Sequence, residues 1–206
     1  MYPIWIATCL AVTLLAGQTV AADTEQQAEA AISKAEVLEE TAASEGSTQQ
    51  EPPAEPITKA EAQAVDPAGE APLDDAITCL ARSIYWEAKG QASADMEAVA
   101  SVVMNRLAHE GFPSTVCEVV KHGSEQGSCQ FSWWCDGRSD DVQEDAPYAI
   151  AKEIARKALN GQLTDRTDGA LYFHDRNVSP SWSTEFAKTA ELGEFLFYKP
   201  HKGAAQ

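Results

Sequence analysis

Fifty consecutive residues, 23–72, contain no Phe, Trp or Tyr, and Pro52, Pro53, Pro56, Pro67 and Pro72 interrupt any long helix. The segment carries 12 acidic and 2 basic residues and is otherwise mostly Ala, Gln, Ser and Thr. Such a composition cannot bury enough apolar surface to offset its ordering entropy. It reads as a disordered acidic linker with at most a helical turn over Glu36–Glu40. The side chains a core needs therefore lie mostly after residue 72, and one domain is expected over 73–199, with a tail at 200–206.

Ahead of the linker runs an apolar stretch, Ile4–Ala16. Val20 and Ala22 fit a signal-peptidase site before Asp23, and Thr19 with Ala21 fits one a residue earlier. Residues 1–22 read as an export signal; an uncleaved membrane anchor stays open because no Lys or Arg precedes the run. Cys9 is not where a lipoprotein signal needs a cysteine. Export to the periplasm or cell envelope puts Cys79, Cys117, Cys129 and Cys135 in an oxidising compartment. Four cysteines allow three pairings, and the sequence does not choose among them. The formal net charge of −17 argues against nucleic acid as a partner and against spontaneous binding to anionic lipid. Membrane contact is expected only if the N-terminal segment stays uncleaved, and the chain is expected to be monomeric.

Periodicity places the first helix of the domain across the stretch Cys79–Gly90, with Asp74 or Asp75 capping its start and Gly90 just past its end. Ile77, Leu80 and Ile84 form its apolar stripe, and Glu87 continues that stripe while Arg82 and Trp86 point elsewhere. A second helix, opened by Ser93, carries Met96, Val99, Ala100, Val103 and Leu107, with Asn105 and Arg106 in its final turns. Thr115 caps a short helix to about Lys121. Cys129–Cys135 reads as a short strand or hairpin. A third long helix runs from about Pro147 to Asn160. Gly169–Asp175 alternates as a strand, 176–192 is a loop with a short helix near Trp182 and Phe186, and Glu194–Tyr198 is a last strand. The class is α+β, mainly helical, with a small β portion.

The chemistry centres on Glu87. A carboxyl held against apolar side chains resists ionisation and remains available as a proton donor, so Glu87 is the candidate general acid. Gln130, Ser132, Trp133 and Trp134 place amide, hydroxyl and aromatic groups on one loop-rich segment, which suits a sugar ring with apolar faces and a hydroxyl rim. Strand alternation puts Tyr172 and His174 on one face, although a lone histidine is more often structural. No HxxxH, HExxH or CxxC spacing occurs and no GxSxG elbow is present, so no metal, no cofactor and no serine nucleophile are expected.

YWEAKGQ at 85–91, VASVVMNR at 99–106, GFPSTVCEVV at 111–120, CQFSWWCDGRSD at 129–140 and GALYFH at 169–174 together resemble the SleB/CwlJ family of bacterial cell-wall hydrolases. The resemblance covers roughly residues 76–198, and the four cysteines are similar to those of its Gram-negative branch. It implies a lysozyme-like fold, peptidoglycan glycan strands as substrate and Glu87 as the catalytic glutamate of the Y-x-E-A-[RK]-G motif. Gln91 stands where the family usually has another glutamate. The implied reaction is cleavage of the MurNAc–GlcNAc bond as a lytic transglycosylase. A two-carboxylate hydrolase would need a partner such as Asp136, Asp95 or Glu125. An N-acetylmuramoyl-L-alanine amidase and a non-catalytic peptidoglycan-binding module are the alternatives.

Overall fold

The computed structural model describes residues 15–44, 54–124 and 129–201. Residues 1–14, and with them most of the predicted export signal, lie outside the described residues, as does the tail beyond residue 201.

The domain is built around α3, Ala76–Ala88, which is buried along its whole length except at Trp86 and Glu87. Asp75 caps it, its carboxylate accepting from Thr78 N–H at 2.9 Å. Lys89 follows in an extended conformation, and Gly90 turns the chain at φ +84°, which only glycine adopts without strain. Against α3 pack α4 (Ser93–Leu107), α5 (Val116–Lys121) and α6 (Asp145–Leu159). Thr115 caps α5 as expected, whereas α4 has Ala92 at its cap position and no side-chain cap. Ile77, Leu80 and Ile84 join Val99, Val102, Val103, Val119 and Ile154 in one apolar core. Two disulfides settle the cysteine pairing: Cys79–Cys117 ties α3 to α5, and Cys129–Cys135 closes the turn between α5 and α6.

After α6 come β1 (Tyr172–Asp175), a 3₁₀ turn at Ser181–Thr184, β2 (Ala187–Leu192) and β3 (Phe195–Lys199). They form an antiparallel sheet in the order β1-β3-β2, with Tyr172 opposite Tyr198 and His174 opposite Leu196. The mainly helical α+β class is therefore as expected. Two local readings are corrected. Residues 187–192 are a strand instead of a loop: the alternation in AKTAEL is weak, and pairing with the aromatic β3 overrides it, across a bulge between Lys188 and Ala190. Cys129–Cys135 is no hairpin but contains a 3₁₀ turn at Ser132–Cys135.

The larger correction concerns the segment read as disordered. Leu15–Ser44 is one helix, α1, with Ala31 and Ala35 fully buried, and Lys59–Ala64 is a second, α2, capped by Thr58 in a capping box with Glu61. Ile57, Ala62 and Val65 sit in the core. Asp66 is buried too, bound to Arg82 of α3 and Tyr148 of α6. Arg82 therefore points inward to a carboxylate supplied from outside the expected domain. The folded unit starts near residue 54 and includes α1 as a docked helix. Among the described residues no helix is long and apolar enough to cross a membrane.

Candidate active site

Glu87 occupies the last turn of α3, where the helix emerges from the core. Its neighbours are fixed on both sides. Trp86 Nε1 donates to the Asp140 carbonyl at 3.1 Å, and the Tyr85 hydroxyl accepts from Gln143 N–H at 3.1 Å and Lys89 Nζ at 3.3 Å. The Glu87 residue itself keeps partial solvent access. Burial of its carboxyl raises the pKa to about 7, against the opposing pull of the Arg106 guanidinium. A neutral, proton-bearing carboxyl is thus well populated at neutral pH.

Arg106, in the last turn of α4, gathers the rest of the site. Its Nε donates to the Leu171 carbonyl at 2.7 Å and its Nη2 to Gln130 Oε1 at 3.2 Å. Its guanidinium carbon lies 5.2 Å from the ring centroids of Phe112 and Phe131 and 5.4 Å from that of Tyr172. Burial pulls its pKa down to about 10, which still leaves it cationic at neutral pH. Gln130 and Tyr172 are therefore brought together around Arg106, a residue that by its position alone reads as a helix end. The signal was available: Arg106 lies three residues after Val103 and seven after Val99, on the apolar stripe of α4.

The other predicted residues divide. Ser132 is exposed, and Trp134 is half-buried with Lys121 Nζ 5.2 Å from its ring centroid. Trp133 is only 6% exposed and belongs to the core. The two adjacent indoles meet edge to face, their planes 76° apart, and of the two only Trp134 keeps an accessible face. The two ring nitrogens of His174 already have partners, Nε2 meeting the Tyr198 hydroxyl at 3.1 Å and Nδ1 the Asp175 carbonyl at 2.8 Å. With Tyr172, Tyr198, Trp182 and Phe186 it forms an aromatic layer on one face of the sheet.

The carboxylates weighed as second catalytic groups do not converge on Glu87. Asp136 is exposed and accepts from Arg138 N–H at 2.9 Å. Asp95 is buried against Gly193 in the β2–β3 turn, and Glu125 lies outside the described residues. A separate hollow of about 370 Å³ between α1, α4 and α6, lined by Asn105 and Asp165 among others, does not include Glu87, Gln130, Trp134 or Tyr172.

A helix-borne carboxyl with a pKa of about 7, close to neutral pH, is the kind of perturbed group from which functional sites are built. The chain belongs to the Cell Wall Hydrolase family, whose profile matches residues 90–198, more than half of the sequence. The matched span begins just after Glu87. Among curated relatives, the spore cortex-lytic enzyme of Halalkalibacterium halodurans is 30% identical over 129 residues, covering 60% of this chain and 34% of that protein. That of Bacillus cereus is 28% identical, covering 60% of this chain and 44% of the relative. This chain thus spans well under half the length of these relatives. The crystallised catalytic domain of Bacillus cereus SleB aligns with a TM-score of 0.49 at 27% identity, over 60% of this chain and 88% of that one.

Proposed function

We propose that this protein is a lytic transglycosylase that cleaves the bond between N-acetylmuramic acid and N-acetylglucosamine in peptidoglycan. The observation that carries the reading is the carboxyl of Glu87, buried at the end of α3 and raised by that burial to a pKa of about 7. A two-carboxylate glycosidase needs its second group within about 5–10 Å. One group acting twice does not. Membership in a cell-wall hydrolase family, and relatives named spore cortex-lytic enzymes, supports peptidoglycan as the substrate.

In the first step Glu87 gives its proton to the glycosidic oxygen as the muramic C1–O bond breaks, and the N-acetylglucosamine unit leaves with a free hydroxyl. In the second, the Glu87 carboxylate takes the proton of the muramic C6 hydroxyl as O6 bonds to C1. The product is a 1,6-anhydro ring, no water is consumed, and Glu87 ends protonated as it began. Gln130, Ser132 and Tyr172 supply polar contacts to the sugar, and Trp134 supplies a stacking face. We assign the enzyme to the cell envelope, with residues 1–22 as the export signal. A cut after Ala22 leaves the packed part of α1, from Ala28 onward, in place.

The test is digestion of purified sacculi by the full chain and its Glu87→Gln variant, with mass spectrometry of the products. Anhydro-muramic ends released by the wild type alone are expected. Reducing muramic ends would mean a hydrolase, and free stem peptides an amidase; either result overturns the proposal. Retention on sacculi without release would mean a binding module.

A further inference from the structure

The two faces of the sheet have different tasks. Phe195 and Phe197 of β3 join the core, and Phe173 of β1 packs against it beside Phe131. The opposite face carries Tyr172 and His174 of β1 and Tyr198 of β3, and none of these three belongs to that core. The face of an antiparallel sheet turned away from the core is commonly polar. This one is aromatic. After β1 the chain crosses the same face, and residues 176–186 lay two more rings on it. The Trp182 ring centroid lies 5.5 Å from those of His174 and Tyr198 and 5.7 Å from those of Tyr172 and Phe186. Phe186 lies 4.8 Å from Tyr172.

Packing alone does not account for this layer. The crossing segment holds its shape through its own polar bonds: Asn177 N–H and Nδ2 donate to Asp175 Oδ1 at 2.7 and 2.8 Å, Ser183 N–H to the Pro180 carbonyl at 3.0 Å and Glu185 N–H to the Trp182 carbonyl at 2.9 Å. The rings, meanwhile, are left incompletely covered. Tyr172, His174, Trp182 and Phe186 are all half-buried, and the Trp182 indole N–H donates to no described group, although a buried indole usually finds a partner. Hydroxyls edge the indole. Ser181 and Thr184 are exposed on either side of it, and the Ser183 and Thr184 hydroxyls donate back to the Pro180 and Ser181 carbonyls at 2.8 and 3.0 Å, which leaves their oxygens able to accept. The turn Ser181–Thr184 holds no charged residue.

An uncharged aromatic surface rimmed by hydroxyls suits a sugar ring, with its apolar C–H face and polar edge. The layer is also continuous with the residues already assigned to the glycan. Tyr172 meets Trp182 and Phe186 on one side, and on the other its ring centroid lies 5.4 Å from the guanidinium carbon of Arg106, which holds Gln130. We propose that Trp182 and Phe186 form a second glycan-binding surface, which takes a sugar of the same peptidoglycan strand beyond those held at Gln130, Ser132 and Trp134. This rests on the reading of the glycan strand as substrate, and is independent of the role of Glu87. A strand long enough to reach both places is held at two points, so long strands bind more tightly than short ones.

The test reads the Trp182 indole directly. The full chain carrying Glu87→Gln, which keeps strands whole, is labelled with ¹⁵N at tryptophan and titrated with glycan strands freed of their stem peptides; Trp182→Phe assigns the resonance. The Trp182 N–H signal is expected to move as strands are added. Trp182→Ala is expected to weaken the binding of long strands by about tenfold or more, as truncation of an anchoring ring does, and to spare a single disaccharide. On sacculi, in the otherwise wild-type chain, the same substitution raises KM more than it lowers kcat. Phe186→Ala takes its place if Trp182→Ala does not fold, and the indole shift itself needs neither variant. A Trp182 signal that stays in place while strands bind would overturn the proposal, as would strands that do not bind at all. A signal that moves only with protein concentration would make this face a contact between two copies of the chain, and would overturn it too. Failure of the acid–base reading shows elsewhere, in continued cleavage by Glu87→Gln or in other products, and leaves the indole shift intact, so the two failures are distinguishable.

Discussion

Replacing Asp66 by Ala tests whether the residues before the expected domain are part of it. Asp66 Oδ2 accepts from Arg82 Nε and Nη2 at 3.0 and 2.8 Å and from the Tyr148 hydroxyl at 2.6 Å, while Oδ1 accepts from Ala71 N–H at 2.9 Å. The side chains of Asp66 and Arg82 are 1% and 2% exposed. The substitution removes one partner of a buried ion pair and strands a guanidinium and a phenol, a change that typically costs about 3–5 kcal/mol. Arg82 keeps its bond to the Asp140 carbonyl, which places the expectation toward the lower end. Against a typical total of about 5–15 kcal/mol, this is a large share. For a chain of this size it corresponds to a fall in Tm of roughly 6–20 °C.

Denaturant unfolding of wild type, Asp66→Ala, Asp66→Asn and the Asp66→Ala/Arg82→Met pair measures the effect. Asp66 has φ +44°, a conformation Asn tolerates better than Ala, so Asp66→Asn separates the lost charge from backbone strain. The double variant should recover part of the loss, because the stranded cation is gone. The pH dependence has a definite sign. Burial works against the Asp66 carboxylate, but the bonds from Tyr148, Ala71 and Arg82 outweigh it and hold the pKa below the usual value. The group's contribution is thus fully present above the unfolded pKa near 4 and is lost as pH falls through the folded value. The gap between wild type and Asp66→Ala should close in acid. A loss below about 1 kcal/mol at neutral pH, within the range of an exposed ion pair, would refute the claim that residues 54–72 belong to the folded unit.

Glu87→Gln should lower the rate of sacculus cleavage by about 100- to 10,000-fold, the usual span for a general acid–base group. Because burial raises the Glu87 pKa to about 7, its ionisation opposes folding as pH rises from the unfolded value to the folded one. Glu87→Gln should therefore be more stable than wild type at pH 8, by up to about 3 kcal/mol, and nearly equal to it at pH 4; denaturant midpoints at the two pH values check this. Replacing Cys79 and Cys117 together by Ala opens a loop with a sequence separation of 38, at a cost of about 4 kcal/mol in the chain-entropy account, read from denaturant midpoints. Trp134→Ala should raise KM for glycan strands, whereas Trp133→Ala should lower the unfolding midpoint, because only the second indole is packed in the core.

The helices α3 to α6 were legible because each carries an apolar stripe of period 3.6 and a readable cap or stop, and Glu87 was legible because it interrupts such a stripe. Arg106 interrupts the stripe of α4 in the same way, yet at a helix end a basic residue also has the ordinary role of complementing the dipole, and that reading masked it. The segment before residue 73 was misjudged for a different reason. Its mean composition is that of a solvated chain, but its fixation depends on a few residues: Ile57 and Val65 in the core, Ala31 and Ala35 small enough for close helix packing, and Asp66 paired with Arg82. Averages over fifty residues lose such points. The Thr58–Glu61 capping box was the one local sign of order in the sequence.

These misjudged residues bear on the site itself. Asp66 fixes Arg82, Arg82 Nη1 and Trp86 Nε1 share the Asp140 carbonyl, and Trp86 directly precedes Glu87. The Gly69 carbonyl accepts from Val142 N–H at 2.9 Å, holding the same loop from the N-terminal side. The end of α3 that carries Glu87 is thus braced by a segment lying ahead of the span that matches the family. On the other side, Arg106 is braced by β1 and by the disulfide-closed turn that carries Gln130. The segment between α5 and α6 thus braces both ends of the site, through Asp140 beside Glu87's neighbour Trp86 and through Gln130 on Arg106. Arg106, held by the Leu171 carbonyl and Gln130, forms no ion pair among the described residues, so the Glu87 carboxyl is not locked in a pair with it that would hold it ionised.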